Sequence, residues 1–200
     1  MDVLLVCAHP EAGSYTHAIA DAAARGFGRA GQDVTTLDLY NLAFAPAMTM
    51  AERAAYHTEQ PLLDPLTVEH AALVRHADVL AFVYPTWWSA PPAILKGWLD
   101  RVLVTGVAFR FDHRGKVRPA LTHVRHLVGV STYGAPWAYV KVVNDGGRRM
   151  ITRALRMSCG LRTPTTWLGL YSVDTLGAAE RDAFLNRVEH KLARLDPVHQ

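Results

Sequence analysis

Three stretches of this 200-residue chain combine residue types that can bind a ligand, and the first is residues 9–16. This stretch begins at His9 and ends at Ser14, Tyr15 and Thr16. Hydroxyl groups and backbone N–H groups at the start of a helix can bind a phosphate group. Ser14 is also an ordinary helix N-cap, and one hydroxyl can serve both purposes. The stretch therefore indicates an anion site that coincides with the start of a helix.

The second stretch comprises residues 84–103. It contains two adjacent tryptophans, Trp87 and Trp88, with prolines on both sides. Two residues with hydroxyl groups, Thr86 and Ser89, flank the pair. A flat aromatic surface beside backbone N–H groups suits a planar heterocycle such as an isoalloxazine ring. Taken alone, the stretch also fits aromatic packing in the core. We interpret it as one wall of a site for a planar ligand.

The third stretch comprises Ser131, Thr132, Tyr133 and Gly134. The sequence around Ser131 comes close to the G-x-S-x-G nucleophile elbow of hydrolases, but Tyr133 stands where the second glycine is required. This substitution argues against a serine hydrolase. We interpret the stretch as a polar loop that follows a buried strand.

Two further motifs carry less weight. Gly26, Gly28 and Gly31 match the dinucleotide fingerprint G-x-G-x-x-G. They follow a predicted helix and precede a predicted strand, whereas pyrophosphate binding requires the reverse order. His123 and His126 have the spacing H-x-x-H without the glutamate of a zinc protease motif. We interpret the glycines as the end of a helix, and we predict no metal site.

Five apolar or β-branched segments predict strands, at residues 3–8, 33–39, 78–84, 124–131 and 165–173. Helical patterns lie at 14–30, 50–57, 67–76, 145–158 and 177–195, and after Pro92. This alternation predicts an α/β fold: a flavodoxin-like, doubly wound parallel sheet of five strands in the order 2-1-3-4-5. Ligands of such sheets bind beyond the carboxyl ends of the strands, between strands one and three. The three stretches above are expected to meet there.

Length and composition predict one domain over residues 1–200, because half of the residues are hydrophobic and a fifth are charged. Two cysteines, Cys7 and Cys159, are too few for a disulfide framework. No stretch approaches the ~20 apolar residues that a membrane helix needs. The apolar run near the N-terminus is also too short for a signal peptide. We expect a cytoplasmic protein without membrane insertion.

The net charge of +3 is weak evidence for a nucleic-acid partner. Arg148, Arg149, Arg153 and Arg156 form the largest basic group, and they lie on a predicted helix with an apolar opposite face. Such a group is typical of a solvated helix face, with contact to an anionic ligand as the alternative. We predict no nucleic-acid partner, because binders of that class usually gather basic residues on one face.

Two long motifs resemble the NAD(P)H:quinone oxidoreductase (DT-diaphorase-like) family, whose members are flavoproteins with a flavodoxin-like fold. The first motif is His9-Pro10 followed by Ser14-Tyr15, and the second extends from Tyr84 to Arg101. The resemblance continues at residues 107–111, 131–134, 139 and 158–160 and in the final helix. It therefore covers nearly the whole chain.

The resemblance implies a flavin-dependent oxidoreductase. In such an enzyme a hydride passes from NAD(P)H through bound FAD, or FMN as the alternative, to a quinone or similar acceptor in a ping-pong mechanism. Cofactor-binding residues carried over from the family are His9, Ser14, Tyr15, Thr16, Pro85, Thr86, Trp87, Trp88, Ser89, Ser131, Thr132, Tyr133, Gly134 and Arg181. Phe109 and Phe111 are expected to wall the substrate pocket from the partner subunit of a homodimer. Tyr139 and Asp145 are the candidates for proton transfer.

The chain departs from the family at two places. Tyr133 stands where the family often has glycine, so its ring either crowds the flavin or stacks on it. A histidine that relays protons in the animal enzymes aligns near Asn144 or Asp145, so the relay must differ. Two alternatives stay open, a flavodoxin-type electron carrier and a regulatory flavoprotein subunit of a membrane transporter. Carriers are usually strongly acidic, unlike this chain.

Overall fold

The computed structural model describes residues 1–195. The predicted single domain extends to residue 200, and its last five residues lie outside the described part of the chain. Within residues 1–195, no helix has both the length and the apolar character needed to cross a membrane.

A five-stranded parallel sheet forms the centre of the fold. The strands of the chain are β1 (Asp2–Cys7), β2 (Asp33–Asp38), β3 (Val79–Pro85), β4 (Phe109–Phe111), β5 (Val117–Pro119), β6 (His126–Thr132) and β7 (Thr165–Leu170). The sheet order is β2-β1-β3-β6-β7, which confirms the predicted order 2-1-3-4-5. Every residue of β3 is buried, because helices cover both faces of a central parallel strand.

Helices cover both faces of this sheet. They are α1 (Tyr15–Arg29), α2 (Met50–Ala55), α3 (Pro65–His76), α4 (Ala93–Val102), α5 (Trp137–Val142), α6 (Gly146–Arg149), α7 (Arg156–Cys159) and α8 (Ala178–Leu192). A π-helical segment (Met150–Leu155) joins α6 to α7, and a 3₁₀ turn (Val173–Thr175) follows β7.

The core has two layers, one on each face of the sheet. Side chains that alternate along β1, such as Leu4 and Leu5, enter opposite layers. The fully buried Trp98 of α4 lies in one layer, and Phe27 of α1 lies in the other with residues of α8. Gly26 permits the close packing of α1 on α8, since a Cβ there would lie 2.6 Å from the Glu189 carbonyl oxygen. The glycines of the fingerprint-like motif thus belong to the end of a packed helix, as predicted.

Several predicted boundaries differ from the structure. Helix α3 begins at Pro65, because the Asp64 carboxylate accepts hydrogen bonds from the amides of Leu66 and Thr67. The last strand ends at Leu170, where the chain turns toward the 3₁₀ segment. The predicted helix at 145–158 is divided into α6, the π-helical segment and α7. The β4–β5 hairpin was not predicted, because three residues in each strand are too few for a clear periodic pattern. Helix α5 was not predicted either, because its aromatic and β-branched residues are typical of strands.

Candidate active site

Two adjacent cavities lie at the carboxyl ends of β1, β3 and β6, and they share Thr86 and Gly134 as walls. The larger, about 410 Å³, is here called the basic chamber and is lined by His9, Tyr15, Thr16, Pro85, Thr86, Trp87, Thr132, Gly134, Val173, Asp174 and Arg181. The smaller, about 260 Å³, is here called the aromatic chamber and is lined by Thr86, Trp88, Ser89, Tyr133, Gly134, Ala135, Tyr139, Val140, Val143 and Asp145. All three predicted stretches therefore contribute to one cleft.

Arg181 of α8 gives the basic chamber a fixed positive charge. Its guanidinium carbon lies 5.9 Å from the centroid of the Tyr15 ring, and its Nη2 donates to the Val173 carbonyl at 3.2 Å. The Tyr15 hydroxyl in turn donates to the Arg181 carbonyl at 2.8 Å. The Arg181 Nε is buried and has no hydrogen-bond partner within residues 1–195. An anionic oxygen in this chamber would satisfy that donor.

The start of α1 carries a hydrogen-bonded chain that the sequence analysis missed. Ser14 caps the helix, and its Oγ lies 2.9 Å from Nδ1 of His17. The other ring nitrogen, Nε2, lies 2.9 Å from Oδ2 of Asp38, at the end of β2. Because a carboxylate only accepts hydrogen bonds, Nε2 carries a proton, and a neutral ring then accepts the Ser14 hydroxyl hydrogen at Nδ1. These two hydrogen bonds fix the Ser14 hydroxyl next to the basic chamber.

Residues 87–90 form a tight turn that presents Trp88 to the solvent. The amides and carbonyls of Trp87 and Ala90 bond to each other at 3.0 Å in both directions. The two central residues have positive φ, +49° for Trp88 and +58° for Ser89, which defines a type I′ turn. Their amides donate no hydrogen bond within residues 1–195, and the Trp88 side chain is fully exposed at the chamber.

A second left-handed pair faces this turn across the aromatic chamber. Asn144 has a φ of +72° and Asp145 a φ of +42°. The next residue is Gly146, where a Cβ would lie only 2.9 Å from the Ser89 carbonyl oxygen. Left-handed backbone is unfavourable for residues other than glycine, and such strain is concentrated at functional sites. Trp88, Ser89 and Asp145 line the same cavity, which supports its assignment as a functional site.

Tyr133 is turned away from the open part of the cleft. Its ring is buried, with 2% exposed, and stacks on Tyr171 with 4.7 Å between centroids. The Tyr133 hydroxyl donates to Oδ1 of Asp145 at 3.0 Å. Burial and the nearby carboxylate of Asp145 raise the pKa of Tyr133. The residue forms part of the chamber floor, so a ring in the chamber would not be crowded by a projecting side chain.

Four of the predicted site residues do not line either chamber. Ser131 is buried below Thr86 and lies 2.8 Å from its hydroxyl, so it supports the wall. Ser14 acts as the helix cap described above. Phe109 packs against Tyr56 and Phe111 against His57, and both rings lie outside the cleft of their own chain. The other predicted site residues line the cleft: His9, Tyr15, Thr16, Pro85, Thr86, Trp87, Trp88, Ser89, Thr132, Tyr133, Gly134, Tyr139, Asp145 and Arg181.

Comparison with known proteins agrees with this geometry. A family described by its flavodoxin-like fold (Flavodoxin_2) matches residues 1–192. Human ribosyldihydronicotinamide dehydrogenase (quinone) is 32% identical over 166 residues, which cover 74% of this chain and 70% of the human protein. The chain belongs to the NAD(P)H:quinone oxidoreductase family. Family membership confirms the resemblance inferred from the two motifs, and it makes the protein an oxidoreductase.

Two other relatives differ in how much of their length is matched. Rat NAD(P)H dehydrogenase (quinone) 1 is 33% identical over 123 residues, 54% of this chain and 45% of the rat protein. An NAD(P)H:quinone oxidoreductase from Methanothermobacter marburgensis has a TM-score of 0.85 with this chain, at 24% identity. The match covers 100% of this chain and 99% of the Methanothermobacter protein. The latter similarity shows a shared fold.

Proposed function

We propose that this protein is a flavin-dependent NAD(P)H oxidoreductase that reduces quinones or similar acceptors by two electrons in a ping-pong mechanism. The observation that carries the proposal is the pair of joined chambers, one with a charged donor for phosphate and one with aromatic walls for a planar ring. Known relatives at 32% and 33% identity carry the name of quinone dehydrogenases.

The basic chamber is proposed to hold the phosphate groups of FAD, with FMN as the alternative. Thr16 lies in the first turn of α1, where backbone N–H groups and the helix dipole attract anions. The Arg181 Nε supplies a charged donor without a partner in the described chain. We propose FAD first because the resemblance to the family matches Arg181 with an arginine of its FAD-binding members. When bound, the flavin supplies hydride acceptance from NAD(P)H and hydride donation to the acceptor.

In the aromatic chamber, the chain's own residues position the ring and stabilise charge. Trp88 offers a flat face, and the amides of Trp88, Ser89 and Gly134 donate no hydrogen bond within residues 1–195. Donors of this kind, fixed before reaction, stabilise negative charge that develops on a ligand. The Trp87 amide is excluded from this role, since it bonds to the Ala90 carbonyl.

Tyr139 and Asp145 line the same chamber and are proposed to handle the proton that accompanies acceptor reduction. Phe109 and Phe111 are proposed to cover the acceptor from the partner subunit of a homodimer. Phe111 is 44% exposed in the single chain, which leaves its ring available for such a contact.

Steady-state kinetics with FAD-loaded protein test the proposal. We expect oxidation of NADH or NADPH that depends on a quinone, with parallel lines in double-reciprocal plots. Arg181→Met should weaken flavin retention about tenfold, because a charge-assisted bond to phosphate is lost. Arg187→Met is the matched control, since its guanidinium lies over Phe184 on the same helix. A protein that releases no flavin on denaturation, and gains no activity with FAD or FMN, would contradict the proposal.

A further inference from the structure

Asp145 is a buried carboxylate without a cationic partner. Its residue is 8% exposed, and within residues 1–195 no lysine, arginine or histidine nitrogen lies within 4.0 Å of its oxygens. A buried carboxylate is costly unless hydrogen bonds or charges compensate it. Asp145 is therefore a candidate for a functional rather than a structural group.

Tyrosines surround this carboxylate instead of cations. The Tyr133 hydroxyl donates to Oδ1 at 3.0 Å. The Tyr84 hydroxyl is fully buried without a partner in the described chain, and it lies 2.9 Å from the place of a Cβ on Gly147, two residues after Asp145. Burial first, and the Asp145 charge second, raise the pKa values of Tyr84, Tyr133 and Tyr171. All three phenols therefore stay protonated near neutral pH, and a phenol can stabilise the carboxylate only by donating a hydrogen bond. The charges of Arg148 and Arg187 oppose part of this increase at Tyr171.

Three contacts fix the position of Tyr133 and therefore of its hydroxyl. The Tyr133 amide donates to the Leu170 carbonyl at 2.8 Å, and the Tyr133 carbonyl accepts from the Val173 amide at 3.0 Å. The ring is stacked on Tyr171 with 15° between the planes. The backbone of Asp145 is equally fixed, because its amide donates to the Val140 carbonyl and its carbonyl accepts from the Arg149 amide. The remaining freedom of Asp145 is the orientation of its carboxylate, which the Tyr133 hydroxyl sets.

We propose that Tyr133 is a positioning residue that holds the Asp145 carboxyl at the wall of the aromatic chamber, where this carboxyl delivers a proton to the acceptor. The proposal rests on the proposed function. Two-electron reduction of a quinone adds one hydrogen as a hydride and one as a proton. The Asp145 O–H bond breaks, an O–H bond forms on the reduced acceptor, and the carboxylate takes a new proton from water at the mouth of the chamber.

A double-mutant cycle tests the proposal with Tyr133→Phe, Asp145→Asn and the double variant, each loaded with flavin and checked for flavin content. We expect Asp145→Asn to lower the acceptor-dependent kcat about a hundredfold and Tyr133→Phe about tenfold. The double variant should equal Asp145→Asn alone, because Tyr133 acts through the carboxylate. Tyr40→Phe is the control for loss of a hydroxyl, since Tyr40 lies outside both chambers.

The split between kcat and KM separates positioning from a general loss of structure. Tyr133→Phe should lower the acceptor-dependent kcat while the KM for the acceptor and the flavin content stay unchanged, because only the hydroxyl that orients the Asp145 carboxyl is removed. Additive losses, or an unchanged kcat in Tyr133→Phe, would overturn the proposal while a working wild-type enzyme leaves the proposed function intact. A wild-type protein that transfers no hydride would instead refute the proposed function.

Discussion

At the scale of single residues, the turn at residues 87–90 holds two residues in a backbone conformation that lowers folding stability. Trp88 and Ser89 both have positive φ, although neither is glycine. A left-handed conformation costs such a residue about 1–2 kcal/mol. The Trp88 ring regains nothing from burial, because it is fully exposed in the single chain. A contact that forms only when a ligand or a second subunit is present would account for this arrangement.

Replacing Trp88 by alanine should therefore affect binding much more than folding. We expect the free energy of unfolding to change by less than ~0.5 kcal/mol, since an exposed ring is removed. The flavin dissociation constant should rise about tenfold with loss of the aromatic contact. Trp88→Gly is the companion variant, expected to be about 1 kcal/mol more stable than Trp88→Ala because glycine accepts positive φ. Flavin retention equal to that of the wild type in both variants would contradict the role given to this loop.

Sequence patterns predicted the position of single residues well where each belonged to a local motif. Ser14 caps α1 and Trp88 lies at the cleft, as predicted, since helix caps and strand ends have local signatures. The bond between His17 and Asp38 was not predicted, because it depends on the register of β1 and β2. The orientation of Tyr133 was also missed, since its hydroxyl is directed by a residue twelve positions further along the chain.

At the scale of elements, the sheet contains a titratable group whose burial links stability to pH. His126 begins β6, and its Nε2 lies 2.9 Å from the Thr166 hydroxyl of β7. Burial, and to a lesser extent the charge of Lys191, lowers its pKa to about 4. The unfolded chain binds a proton near the ordinary value of about 6.5, so it holds more protons than the folded chain between these values. Stability therefore falls as the pH decreases from about 6.5 to about 4.

His126→Gln should remove this part of the pH dependence while retaining a donor for Thr166. We expect the wild type to lose about 1–2 kcal/mol more than the variant between pH 7 and pH 4, after allowance for the partial exposure of the ring. His70 acts in the same direction in both proteins, since burial lowers its pKa too. Urea unfolding at several pH values measures the difference, with the exposed His113→Gln as control. Identical pH profiles for wild type and His126→Gln would contradict the account.

Elements with a clear apolar pattern were predictable, and the three-residue strands were not. The buried run of β3 and the apolar stripe of α4 each extend over seven or more residues, enough for periodicity to be clear. The division of the helix after Asp145 was missed because the π-helical segment at Met150–Leu155 keeps the same apolar and basic residue types. Strand β4 has three residues, and only pairing with β5 defines it.

At the scale of the whole molecule, the proposed homodimer accounts for apolar side chains near β4 and the cleft. Phe109 is half-buried against Tyr56, and Phe111 is 44% exposed. Trp88, in the turn at the aromatic chamber, and Trp137, at the start of α5, are also exposed. Several exposed aromatic rings on one chain are typical of a surface that is covered in an assembly.

The double variant Phe109→Ala, Phe111→Ala should weaken the acceptor site more than the fold. We expect the wild type to be a dimer by light scattering, and the variant to show a KM for quinone raised about tenfold with flavin still bound. The control is Val117→Ala, an exposed residue on the paired strand β5. A fully active wild-type monomer at assay concentration would contradict the shared site, as would an unchanged KM in the double variant.

The measurement that tests the central claim most directly is an anaerobic double-mixing experiment on the flavin-loaded protein. NADH or NADPH is added first, and a quinone follows after the nicotinamide has been consumed. We predict that one equivalent of NAD(P)H bleaches the flavin absorbance in a single step and that one equivalent of quinone restores it, with hydroquinone as product. A flavin that NAD(P)H does not bleach, but that a chemical reductant reduces in one-electron steps, would contradict the account and identify an electron carrier instead.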